Sequence, residues 1–182
     1  MTEQQQTYYP PGGLSIKDCA LVAIATGRRA RNLRELRDGI GEAAAASVYY
    51  HFWGSLLRPT FDDPRFHNGF AIWADHALHN TALAERLSVI DPTDYPDTDE
   101  LRKHVLDIVD SALDQGEQIA TAPDDNLFDF IRSQIVVFGT KRTLDEPSEL
   151  PNAVETMTRA SVFYHFIDAR RRTPGSVDDF TT

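Results

Sequence analysis

SVYYHF at residues 47–52 returns as SVFYHF at 161–166, an interval of 114 residues. The two stretches anchor a longer ungapped match. Thr26 falls on Thr140, Arg28 on Arg142, Glu35-Leu36 on Glu149-Leu150 and Arg58 on Arg172. Conservative pairs lie between them: Leu21/Ile135, Val22/Val136, Ile40/Val154 and Tyr49/Phe163. After a gap of four residues, Phe70 falls on Phe180. Self-similarity at a fixed interval marks a repeat architecture, so the chain reads as a tandem duplication.

Local patterning fills in each copy. Val48, Phe52 and Leu56 keep i, i+4, i+8 spacing, which places them on one helix face. Asn32 with Glu35 three residues on has the form of a capping box, and Leu33, Leu36 and Ile40 continue the helix. Asn68 can cap a helix carrying Phe70 and Trp73, and Leu83, Leu87 and Ile90 form another amphipathic run. Asp97 with Glu100 opens a further helix through Leu101, Val105, Ile108 and Ala112. In the second copy, Ser148 can cap a helix whose first turn holds Pro151. The apolar, β-branched run Phe130–Phe138 reads as a strand. For residues 16–26, periodicity leaves helix and strand both open.

The expected organisation is a flexible arm at 1–13, a first repeat half at 14–114, a polar linker at 115–127 and a second repeat half at 128–182. Pro10-Pro11-Gly12-Gly13 closes the arm, since no helix continues through it. The second half has no counterpart of Trp73–Ile90. It is therefore expected to be incomplete at its C-terminus and to take cover from a homodimer partner. The expected fold is mainly α: two duplicated helical halves, each opening with a short strand-like apolar segment. The alternative is all-α.

Composition removes several function classes. With 41% apolar residues the chain can build a packed interior. Its formal charge of −10 opposes phosphate backbones and anionic bilayers, so neither nucleic acid nor membrane is an expected partner. No apolar run approaches the roughly 20 residues that span a bilayer. Cys19 is the only cysteine, which excludes an intrachain disulfide and a Cys-based zinc site. Neither GxGxxG, GxxxxGK[ST] nor GxSxG occurs, and no cofactor is implied.

The segments TGRRARNLRELRDGI, SVYYHFWGSLLRP, FAIWADHALHN, LAERLSVIDP, FIRSQIVVF and SVFYHFIDARRRTPG together resemble an uncharacterised prokaryotic family of duplicated proteins, a domain of unknown function. The resemblance runs from Ile16 to Thr182 and is most specific at YYHF and FYHFIDARRR. It implies a soluble bacterial or archaeal protein; the polar, Gln-rich start and the absence of a spanning run make the cytoplasm the expected compartment. It carries over no activity, cofactor or catalytic residue.

Candidate chemistry rests on the repeated residues. Tyr50-His51 and Tyr164-His165 could supply general acid–base groups if both copies face one cleft. The competing reading is structural, with each ring donating to a backbone carbonyl and fixing a helix. Arg28, Arg58, Arg142 and Arg172 could bind an anionic ligand bidentately, or pair with the abundant acids. Asp75, His76 and His79 could touch one cation but lack a fourth ligand. Glu35 and Glu149 are repeated acids for which capping is a sufficient explanation. Two function classes follow. One is a binding or regulatory module using the groove between the halves to take a partner protein or small anion. The other is an enzyme, a hydrolase or metal-dependent, using the Tyr-His pairs.

Overall fold

In a computed structural model, residues 13–57, 65–116, 120–173 and 175–181 are described. Arm residues 1–12 and Arg58 lie outside that set. The residues left open at 16–26 form part of a strand, β1 (Leu14–Ala30). Its partner in a two-stranded sheet is β2 (Phe128–Leu144). The Thr140 hydroxyl donates to the Ile16 carbonyl at 2.6 Å, and the Thr26 hydroxyl to the Phe130 carbonyl at 2.5 Å. As one residue number rises the other falls, so the strands run antiparallel.

Each strand is 17 residues long. This corrects the expected mainly α class with short strand-like openings, and the all-α alternative with it: the fold is α+β. The apolar runs cover only part of each strand. β2 continues through Gly-Thr-Lys-Arg-Thr at 139–143, where every residue is exposed and no alternation signals a strand. Pairing with β1 holds that part, and the Thr140 hydroxyl adds its bond to the Ile16 carbonyl. Gly27 and Lys141, at matched positions, have φ of +79° and +63°. Glycine adopts that region freely, while Lys141 costs roughly 1 kcal/mol to hold there.

The chain forms two compact units. One comprises Leu21–Gln134. Among the described residues it holds five α-helices: α1 (Leu33–Glu42), α2 (Ala45–Leu57), α3 (Gly69–His76), α4 (Thr81–Ser88) and α5 (Thr98–Asp114). The caps read from sequence are present: Asn32 accepts from the Glu35 amide, Asn68 from Ala71, and Asp97 from Asp99 and Glu100. Asn80 caps α4 in the same way. The buried faces of these helices share one core with Phe128 and Phe130 of β2.

The other unit comprises Met1–Ala20 and Ile135–Thr182. It holds α6 (Leu150–Thr156), α7 (Arg159–Val162) and α8 (Ala169–Arg172), with a π-helical segment at Phe163–Asp168 joining the last two. Its core is smaller, built on Ile16, Leu144 and Ala153 with Leu14, Leu150, Met157 and Phe180 against it. Ser148 does not cap a helix. It sits inside a 3₁₀ turn, Pro147–Glu149, because Pro147 and Pro151, four positions apart, split the helix start into two short pieces. Among the described residues, no helix is long and apolar enough to cross a membrane.

Candidate functional site

Ser47 and His51 are one turn apart on α2 and share a face. The Ser47 hydroxyl donates to the Ile131 carbonyl at 2.8 Å, and the Ile131 amide donates to His51 Nε2 at 3.3 Å. One helix turn thus engages both backbone groups of one strand residue. The second copy does the same: the Ser161 hydroxyl donates to the Lys17 carbonyl at 2.6 Å, and the Lys17 amide to His165 Nε2 at 2.9 Å. A two-stranded sheet leaves such groups without a ladder partner, and buried amides and carbonyls need one. The Ser-x-x-x-His pair stands in for the missing third strand.

The imidazoles therefore accept from backbone amides, the reverse of the donation to carbonyls expected from sequence. Because Nε2 offers its lone pair, the ring proton of a neutral imidazole lies on Nδ1. Both histidines are buried, at 7% exposure for His51 and 1% for His165. Tyr50 and Tyr164 are buried beside them, each ring edge-on to its neighbour. His51 and His165 belong to different units.

The two surroundings differ. His51 is enclosed by Tyr50, Phe70, Phe128 and Phe130, with ring centroids 4.5–6.2 Å away. Burial in this aromatic cage pushes its pKa down to about 3. His165 meets Phe180 at 5.4 Å, as His51 meets Phe70 at 5.2 Å. Its Nδ1, however, lies 2.8 Å from an Asp179 carboxylate oxygen. In the match that pairs Phe180 with Phe70, Asp179 falls on Gly69. A Cβ at Gly69 would sit 2.9 Å from His51 Nδ1, so the first copy has no room there for a side chain.

Asp179 belongs to a charged cluster. Arg172 donates to Asp179 at 3.1 Å, to Asp168 at 2.9 Å and to the Tyr164 carbonyl at 3.1 Å, with its guanidinium 4.0 Å from the Tyr164 ring centroid. Arg171 also binds Asp168, which is 1% exposed. Burial raises the Asp179 pKa, but hydrogen bonds from His165 and Arg172 outweigh it and hold the carboxyl below its ordinary value. Burial likewise raises the Tyr164 phenol, against the pull of Arg172. Asp168 falls on Gly54 in the first copy. The repeat marks Tyr164, His165 and Arg172 of this cluster but not its acids, Asp168 and Asp179, which have glycines as counterparts.

The remaining candidates are placed separately. Arg28 pairs with Glu42, and Arg142 binds the Thr156 hydroxyl at the matched position. Glu35 accepts from the Arg31 amide and Glu149 from Asp145, so both repeated acids close caps. Asp75 accepts from Thr81, and its carboxylate lies 3.9 Å from His76 Nε2. His79, at φ +52°, lines an open cleft with Leu78, Asn80 and Thr81. Among the described residues, no three His, Cys, Asp or Glu side chains are grouped to hold a metal ion.

Cys19 is no exposed nucleophile. Burial first, then Asp18 and Asp168, push its pKa up to about 11. Its thiol donates to the Ala160 carbonyl, as the Ser133 hydroxyl donates to Ala46 at the matched position. Cys19→Ser is therefore expected to change stability by less than about 1 kcal/mol in urea denaturation. In the unaltered chain, a thiol reagent is expected to label Cys19 only after unfolding. Rapid labelling of the native protein would contradict this account.

A family model described as a family of unknown function, DUF5752, matches residues 12–182. No curated protein matches the chain. Among solved structures it is similar to OrfY from Thermoproteus tenax, with a TM-score of 0.75 and 26% identity over 90% of this chain and 73% of that one.

Proposed function

The chain belongs to DUF5752, a family of unknown function, and we propose that it acts as a cytoplasmic binding or regulatory module for a partner protein. The observation that carries this reading is the use made of the repeated Ser, Tyr and His residues. They are the groups best suited to acid–base chemistry, and both copies commit Nε2 to a strand amide inside a core. A general base must reach a substrate proton within about 3 Å; these rings are turned toward the protein's own backbone.

The surface that supports binding lies on β2. Val136, Val137 and Phe138 are 47%, 41% and 51% exposed in succession. Exposed apolar strands of this kind serve as docking sites for extended segments. Lys141 and Arg142 follow on the same strand and are exposed, favouring a partner segment that combines apolar and acidic residues.

Native mass spectrometry of the chain purified from its own cells tests this. A protein partner is expected on the unaltered chain and is expected to be missing from Val137→Asp at an unchanged melting temperature. A partner retained by Val137→Asp, or an unaltered chain that carries none, would overturn the reading.

A further inference from the structure

We infer that each copy of the repeat is a receptor for a strand of the other, so that the helices of one copy fold only around residues supplied by its twin. The unit holding α1–α5, all from the first copy, takes in residues 128–134 of the second. Phe128 and Phe130 are 4% and 2% exposed in its core, and Phe128 packs on His51, Phe70 and Trp73. Ser47, His51 and Thr26 bind the backbone of residues 130 and 131. The unit holding α6–α8 takes in residues 14–20 of the first copy. There Ile16 is 3% exposed, and Ser161, His165 and Thr140 bind the backbone of residues 16 and 17.

The two receptors read one pattern. The strand they accept has two inward apolar residues two positions apart, Leu14/Ile16 or Phe128/Phe130. The next residue, Lys17 or Ile131, offers its amide to histidine and its carbonyl to serine. The same backbone bonds form with Lys17 in one copy and Ile131 in the other. The match is chemically narrow, since the helix face supplies one acceptor and one donor at fixed spacing. The partner that fits is thus a strand of the chain's own kind.

Hydrogen exchange on the full chain tests this, because the inference assigns each strand residue to the helices of the opposite copy. Phe128→Asp lies in the second copy and is expected to strip protection from α2 and α3 while sparing α7 and α8. Ile16→Asp is expected to do the reverse. Loss confined to the helices of the substituted copy would overturn the inference.

Substituting a protease site for residues 117–119 and cutting it provides a second measurement. The two pieces are expected to stay together as a 1:1 complex with the Lys17 and Ile131 amides protected. After denaturation and mixing with isotope-labelled cut chain, refolding is expected to give hybrids of labelled and unlabelled pieces. Pieces that separate and each melt cooperatively alone would overturn it.

Discussion

Acidification from pH 6.5 to pH 3 is expected to remove on the order of 4–5 kcal/mol of stability through His51 alone. The pKa of His51 is about 3 in the folded chain because the ring is enclosed by four aromatic residues. In the unfolded chain it returns to its ordinary value of 6.5. Between those values the unfolded state binds a proton that the folded state refuses. The stabilisation is therefore fully present above pH 6.5 and is lost progressively as the pH falls toward 3. Carboxylates also titrate in the lower part of this window, so the contribution must be isolated by difference. His51→Gln keeps an acceptor near the position of Nε2 for the Ile131 amide but has no titrating group. Urea midpoints of the two proteins, followed from pH 8 to pH 4, are expected to fall more steeply for the unaltered chain below pH 6.5. Parallel curves would show that protonation of His51 does not oppose folding, and would remove the argument for a dry cage.

The same contrast explains what could be read from the chain. Asn32, Asn68 and Asp97 were legible as caps because capping is local: a side-chain oxygen meets an amide two or three residues on. The buried faces Leu33-Leu36-Ile40 and Leu83-Leu87 were legible for the same reason. The length of the strands was not. Residues 139–143 are exposed and held by a cross-strand partner about 124 positions away, Ile16 for Thr140, and nothing local reports that bond. Matched residues singled out Tyr50-His51 and Tyr164-His165, but donation to a backbone carbonyl, the structural reading of the rings, has the wrong direction: both accept from amides. A histidine's role as donor or acceptor depends on what the other strand presents, here an amide. Asp168 and Asp179 escaped because the duplication hides what only one copy has acquired. Asking which residue stood opposite each glycine would have exposed both.

His165→Ala is expected to lower the melting temperature by roughly 10 °C. Removing the ring leaves the Lys17 amide without its acceptor and opens a cavity beside Phe180. It also frees the Asp179 carboxylate from the donor that helps hold it ionised. An orphaned buried amide costs about 1–3 kcal/mol, and loss of packed ring volume adds a comparable amount. For a chain of this size each kcal/mol corresponds to about 2–4 °C. Asp179→Asn keeps an acceptor for Nδ1 and is expected to cost less than Asp179→Ala, which strands both Nδ1–H and one arm of Arg172. The double substitution His165→Ala/Asp179→Ala is expected to fall short of the sum by about 1–3 kcal/mol, since the two residues share a bond. A catalytic histidine gives the opposite pattern, because its loss abolishes activity while the melting temperature stays near that of the unaltered chain. A His165→Ala protein that melts with the unaltered chain would therefore return the Tyr-His pair to chemistry and take it away from the strand it is seen to hold.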